Sequence, residues 1–315
     1  MKKIIRYKSR RILGMKKVYN LLKWYFGGYQ KLISLFIDLH SSFLRIVIKR
    51  ILKSVNPSFS CKLKNLGQKI RGRSPTFHYL PELDLIEVKS CGESFFVADR
   101  IRAFNHYDKN LSNAGFDLGK KYYLDKINFN SGDKIIDCGA NVGNLYLWFK
   151  SNGISVDYLG VEPSPKEFSC LRMNIDTHKA LNQGLWNVKK TVDFFVANAT
   201  ADSSIIEPKR YDQKVTIEAV PLSSIITSKI KLLKLEAEGA EPEILEGAGE
   251  KLNMIEYISA DLGPERGVSE ESTFMPVTNF LLERNFSLIK EYHVTNTSNQ
   301  RDYSSITALF KNKLY

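Results

Sequence analysis

An apolar strand ending in an acid, a glycine turn and the start of a helix follow one another in Lys134-Ile135-Ile136-Asp137-Cys138-Gly139-Ala140-Asn141-Val142-Gly143. A second short strand, Tyr158-Leu159-Gly160-Val161-Glu162, also ends in an acid. Strands alternating with helices bury their apolar faces as a parallel sheet covered on both sides. Such open α/β sheets bind ligands in the crevice outside the carboxyl ends of their strands. The glycines let the backbone turn and approach a ligand without a Cβ clash. The helix that follows presents free N–H groups and a partial positive charge to a carboxylate or phosphate. An acid about 20 residues further on suits a ribose diol. The pattern therefore predicts a nucleoside-binding α/β domain.

The dinucleotide fingerprint needs G-x-G-x-x-G, but the corresponding positions here are Gly139, Asn141 and Asn144. A phosphate loop of the form G-x-x-x-x-G-K-[ST] is absent as well. What remains is D-x-G-x-x-x-G, which suits S-adenosylmethionine, a cofactor without a pyrophosphate. Asp137 is placed to face its ammonium, the backbone after Gly139 its carboxylate, and Glu162 both ribose hydroxyls. The candidate cofactor residues are Asp137, Gly139, Asn141, Gly143, Glu162 and Ser164.

A second motif runs Leu232-Leu233-Lys234-Leu235-Glu236-Ala237-Glu238-Gly239-Ala240-Glu241-Pro242, then Leu245-Glu246-Gly247-Ala248. It reads as a strand entering a helix, with Pro242 in the first turn, where a missing N–H costs little. Glu241 and Glu243 sit near that helix's positive end. With the glycine turn, this resembles the FkbM-type methyltransferase family. That family has Lys-Ile-Asp-Val-Glu-Gly-Ala-Glu here, and this chain departs from it at Glu236, where the usual residue is Asp. Ser203-Ser204 and Ala260-Asp261-Leu262-Gly263-Pro264-Glu265-Arg266-Gly267 also look like family segments. The resemblance covers roughly Ile101 to Phe310. It implies a Rossmann-like class I methyltransferase fold, a doubly wound, mostly parallel sheet with an antiparallel C-terminal strand. It also implies a hydroxyl acceptor on a sugar, glycolipid or polyketide-like scaffold.

A hydroxyl is a poor nucleophile until a base accepts its proton. Glu236 and Glu238, two apart at a strand end, are expected on one face above the crevice. Nearby carboxylates raise one another's pKa, which suits a general base. Either one is a candidate base, and Asp261, ending the next strand, is expected to shape the acceptor pocket. The bland alternative is a salt-bridging or helix-capping Glu238. No [ND]-P-P-[YF] motif for N-methylation occurs.

The net charge of +12 is uneven. Residues 1–55 hold 14 Lys+Arg and one acid, Asp38, whereas the remaining residues nearly balance. A nucleic-acid-binding face on the catalytic domain is therefore not expected. Cys61, Cys91, Cys138 and Cys170 are scattered, which points away from metal sites and disulfides and toward a reducing, cytoplasmic setting. The longest charge-free run in residues 1–55 is Trp24–Gln30, far short of the about 20 residues a span requires. From residue 31 the polar positions recur with helical period between long apolar stretches, and aromatics crowd beside Lys16, Lys17 and Lys23. Three readings fit this segment: an in-plane anchor on an anionic cytoplasmic membrane face, a helix packed on protein, or an RNA arm. An anchor would bring the site to a lipid-linked saccharide. A non-catalytic, membrane-associated scaffold and an RNA methyltransferase stand as alternative functions.

The division expected is 1–55 as the basic amphipathic segment, 56–130 as a lead-in and 131–315 as the cofactor-binding domain, with a boundary at Pro57–Ser60. In the lead-in, a hairpin turning at Cys91-Gly92 and a helix over Gly115–Ile127 are predicted. Ser164 with Glu167 reads as a capping box before a helix reaching Thr177, with Pro165 at its first position. Thr191–Asn198 and Val215–Val220 look like antiparallel additions, and Phe286–Val294 with Ser304–Phe310 like a closing hairpin.

Overall fold

The computed structural model describes residues 50, 52–175, 179–197, 202–295 and 304–315. The chain forms two compact units, Met1–Ser60 and Cys61–Tyr315. Nearly all of the basic segment predicted for residues 1–55, including its amphipathic helix, lies outside the described residues. Among the described residues no helix is long and apolar enough to cross a membrane. Helix α1 covers Pro57–Ile70, so the Pro57–Ser60 segment expected as a boundary forms the first turn of a helix. Pro57 has no N–H to leave unsatisfied there.

The second unit begins with a small antiparallel sheet of β1 (Thr76–Leu80), β2 (Leu85–Ser90) and β3 (Glu93–Val97). The predicted hairpin is β2–β3, and Cys91 and Gly92 both have positive φ, as a two-residue turn requires. Helices α2 (Arg100–His106) and α3 (Leu111–Lys121) follow. The helix predicted over Gly115–Ile127 starts earlier, because the Asn110 side chain caps it by accepting from Asn113 N. It ends at Lys121, because Tyr123 adopts a left-handed conformation before a separate 3-10 turn.

The central sheet has seven strands in the order β14-β15-β11-β10-β4-β5-β6. Its members are β4 (Lys134–Cys138), β5 (Asp157–Val161), β6 (Ala180–Leu181), β10 (Ile230–Leu235), β11 (Ile255–Asp261), β14 (Phe286–Thr295) and β15 (Ser304–Asn312). Strands β6, β5, β4, β10 and β11 pair in parallel, and β15 runs antiparallel to both β11 and β14. The closing hairpin is thus the expected one. Successive residues point to opposite faces, so both faces need apolar residues. Ile136, Leu233, Ile258 and Phe310 pack toward α6 (Glu241–Glu246) and α7 (Phe274–Leu282). Ile135, Leu232 and Leu309 pack with Trp148 and Phe149 of α4 (Asn144–Ser151).

The strands predicted as antiparallel additions are β8 (Lys190–Val196) and β9 (Gln213–Pro221), but they do not join the central sheet. They form a separate three-stranded sheet with β7 (Gly184–Trp186). Strand β8 is exposed at Lys190, Thr191 and Asp193 and buried at Phe194, Phe195 and Val196. Helix α5 covers Pro165–Asn174, with Pro165 in its first turn.

Candidate active site

Four acids stand at the carboxyl ends of four adjacent parallel strands. Glu162 follows β5, Asp137 is the penultimate residue of β4, Glu236 follows β10, and Asp261 ends β11. A cleft of about 580 Å³ opens above them, lined by Asp137, Gly139, Asn141, Glu162, Ser164, Glu236 and Glu238 among others. This is the crevice where open α/β sheets take ligands.

Two lysines interleave with three of the acids. Lys234, 2% exposed, lies 3.2 Å from Asp137 and 3.0 Å from Glu236. Lys121, from the end of α3, lies 2.8 Å from Glu236 and 2.7 Å from Asp261. The result is a ladder: Asp137, Lys234, Glu236, Lys121, Asp261. The longer side chain of Glu236 gives one carboxylate to both lysines, Oε2 to Lys234 and Oε1 to Lys121. Burial works against the Glu236 charge, but Lys234 and Lys121 overcome it and hold the carboxyl well below its usual range. Burial also works against both ammonium groups, and the carboxylates on either side hold each protonated above the ordinary lysine range. The ring of Tyr122 lies beneath both, 5.0 Å from Lys121 Nζ and 5.3 Å from Lys234 Nζ.

Lys121 reaches this site because α3 packs backbone-close on α4. A Cβ on Gly119 would fall 2.0 Å from Trp148 Cδ1. The glycine turn has a similar internal reason: Gly139 has φ +71°, and its Cβ would lie 2.0 Å from the Glu236 carbonyl oxygen. That contact closes the β4 turn onto the β10 loop, and Lys234 Nζ donates to the Cys138 and Gly139 carbonyls at 3.1 and 2.8 Å.

The candidate residues divide accordingly. Asp137 was expected to face a ligand ammonium; its carboxylate instead accepts from Tyr158 OH and pairs with Lys234. Asp137 Oδ1 is the oxygen that faces Lys234, at 3.2 Å, and the residue lines the cleft. Glu162 accepts from Asn141 N and Ser164 N, each at 2.8 Å. Burial pushes its pKa up to about 7 against those two donors. Asn141 takes a left-handed φ of +51° to aim its N–H at Glu162. Ser164 donates from its hydroxyl to Glu167 but makes no side-chain bond to the helix start, so the predicted capping box does not form. Gly143 lies outside the cleft lining; it has φ +91° where α4 begins, and its N–H donates to Ala140 O at 2.9 Å.

Glu238 does not follow the strand-face argument. Strand β10 stops at Leu235, and Glu238 has φ +52°, which breaks the two-residue alternation. The buried Glu241 carboxylate organises this turn. Its Oε1 accepts from Ala237 N at 2.8 Å and Gly239 N at 3.2 Å, and its Oε2 accepts from Thr273 Oγ1 at 3.0 Å. Arg266 clamps the same turn, donating to the Gly239 carbonyl and forking onto Glu243 at 2.6 and 2.9 Å. Glu238 still lines the cleft, and Ser204 Oγ donates to its carbonyl at 2.9 Å. Burial, then Glu265 and Glu236, push the Glu238 carboxyl well above the usual range. Burial and Asp261 push Glu265 up to about 8. Asp261, expected to shape the acceptor pocket, lies outside the cleft lining and anchors Lys121. Lys121 and Glu265 are the residues that sequence reasoning gave no role. The only local signal for Lys121 was the Gly115–Gly119 spacing on α3, which marks a close helix contact. Among the described residues no group of three or more His, Cys, Asp and Glu side chains is arranged for a metal ion.

The strand order, the single reversed strand β15 and the cleft over β4, β5 and β10 define a Rossmann-like, mostly parallel α/β fold. Residues 137–288 match the model of the methyltransferase FkbM domain. The chain is similar to "Methyltransferase sdnD" of Sordaria araneosa, 24% identical over 198 residues, covering 50% of this chain and 73% of that one. It is equally similar to "Methyltransferase 1" of Beauveria bassiana, 24% identical over 184 residues, covering 48% and 74%. Among solved structures, "Methyltransferase FkbM" from Methylobacillus flagellatus aligns with a TM-score of 0.42 and 14% identity. That alignment spans 68% of this chain and 60% of the other, less than two thirds of its length.

Proposed function

We propose that this protein is an S-adenosylmethionine-dependent O-methyltransferase acting on a hydroxyl of a sugar, glycolipid or related glycan. The residues fit that cofactor. Glu162 is a buried acid at the β5 end with two backbone N–H partners and a place on the cleft wall, as ribose recognition needs. Lys234 and Gly139 shape the floor, and the backbone from Gly139 to Asn141 lines the side toward β5. When bound, the cofactor supplies the electrophilic methyl group of its sulfonium.

The observation that carries the reading is the contrast between two neighbouring acids. Glu236 is held ionised by two lysines and is a poor proton acceptor. Glu238 is a cleft-lining carboxyl whose proton affinity is raised by burial and by Glu265. A carboxylate of raised proton affinity accepts a proton more readily than one held ionised between two lysines, which favours Glu238 over Glu236. Glu238 therefore accepts the acceptor hydroxyl's proton, while the turn fixed by Glu241 and Arg266 keeps its carboxyl oriented. Near-balance of charge outside residues 1–55 favours a neutral polyol over a nucleic acid.

The test uses full-length protein, tritiated S-adenosylmethionine and a panel of free and lipid-linked saccharides, with cofactor affinity measured separately. Glu238→Gln is expected to retain cofactor affinity and to lose roughly 100-fold or more in turnover. Unchanged turnover would remove the base assignment. A folded chain that binds no cofactor would favour the scaffold alternative.

A further inference from the structure

Helix α1 turns an apolar ridge to solvent. Phe59, Leu63, Leu66 and Ile70 are 51%, 37%, 56% and 78% exposed. Their spacings of four, three and four residues place them on one face of the helix. The opposite face is fixed to the folded unit. Lys64 Nζ donates to Phe104 O at 2.7 Å and pairs with Asp108 at 2.6 Å. The Asn65 side chain exchanges two hydrogen bonds with the Phe77 backbone, at 2.9 and 2.8 Å. Gln68 Nε2 donates to Asp108 O at 2.8 Å. The ridge is therefore held outward on an anchored helix.

Single exposed apolar side chains are ordinary, but a contiguous row marks an interaction surface. Charge indicates which kind. Helix α1 contains no acid, and Lys62 and Lys69 are exposed on one flank of the row. The sequence before it, residues 1–55, carries 14 Lys+Arg against one acid. An apolar ridge flanked by lysines and free of acids matches the headgroup–acyl boundary of an anionic bilayer. We infer that α1 is a membrane-resting face, with Phe59, Leu63, Leu66 and Ile70 among the acyl chains and Lys62 and Lys69 at the level of the phosphates. The folded unit then meets the bilayer through its own helix, not only through the chain before it. This inference is independent of the methyl-transfer reading.

The test is co-sedimentation of the full chain with phosphatidylcholine vesicles, with and without phosphatidylserine. The wild type is expected to bind the anionic vesicles. Leu66→Ser/Ile70→Ser is expected to bind them about tenfold more weakly, at nearly unchanged melting temperature, because these side chains are 56% and 78% exposed. Lys62→Gln/Lys69→Gln is expected to lose on the order of tenfold on anionic vesicles and nothing on neutral ones. A wild type that ignores both vesicles, or a serine variant that binds as tightly as wild type, overturns the inference. So does a serine variant that keeps vesicle binding and changes only its sedimentation state, since the ridge would then be a protein contact.

Discussion

Replacing Lys234 by Met tests the charge ladder. The side chain is nearly volume-matched, so the change removes charge and donors with little packing loss. Asp137 then keeps Tyr158 OH but no cation, and Glu236 keeps Lys121 as its remaining paired cation. The Cys138 and Gly139 carbonyls lose the Lys234 ammonium as a donor. Breaking a buried ion pair by removing one partner costs about 3–5 kcal/mol. Asp137 and Lys234 are 1% and 2% exposed, so that range applies without solvent screening. At roughly 2–4 °C per kcal/mol, the melting temperature falls on the order of 10 °C. The pH dependence has a definite sign. Burial already raises the folded pKa of Asp137 above its ordinary value, against the pull of Lys234 and Tyr158. Losing Lys234 raises it further. A raised carboxyl destabilises the fold while ionised and is relieved as pH falls through its folded pKa. The Glu236 carboxyl is held low, so it stabilises the wild type above its unfolded pKa, and that contribution also fades only on acidification. The penalty is therefore larger at neutral and alkaline pH and shrinks on acidification, as read by urea unfolding across that range. Adding Asp137→Asn to the lysine change should recover more than half of the loss, because no uncompensated buried charge remains on β4. A penalty below about 1 kcal/mol, or one that widens on acidification, refutes the reasoning.

Two further changes probe the same framework. Glu162, with a pKa pushed up to about 7, should give a cofactor affinity about tenfold higher at pH 8 than at pH 6, because hydroxyl donors favour the ionised form; calorimetric titration should show Glu162→Gln to be weaker and pH-independent, and a flat wild-type profile would contradict the assignment. Gly119→Ala would set a Cβ 2.0 Å from Trp148 Cδ1, with an expected loss of about 1–3 kcal/mol by thermal unfolding; a neutral result would mean that α3 and α4 are not packed as described.

The parts legible in sequence were those set by neighbours along the chain. The strand–acid–glycine–helix order of residues 134–143 and the acid at Glu162 led directly to β4, β5 and the cleft above them. The β2–β3 hairpin and the β14–β15 closure were legible for the same reason, apolar alternation bounded by turn residues. What escaped came from long-range contact or from a single backbone angle. Lys121 is far in sequence from both Glu236 and Asp261 and joins them only because Gly119 lets α3 approach α4. The direction of Glu238 depended on its positive φ, which Glu241 enforces from three residues away by accepting two backbone N–H groups. Nothing in the periodicity of residues 190–221 distinguished a strand of the main sheet from a strand of a separate one. The pairing of Asp137 with Lys234, on the neighbouring strand, was likewise not legible along the chain.

The reach of Glu236 also bears on how such a site can vary. One carboxylate serves two lysines here because its arm is one methylene longer than the aspartate of the family pattern. Positions 121 and 236 are thereby coupled by direct contact. A shorter acid would leave Lys121 with Asp261 alone, and losing Lys121 would leave the longer arm without its second cation. A change at either place alters the surroundings of the other, although they lie on different elements and far apart along the chain.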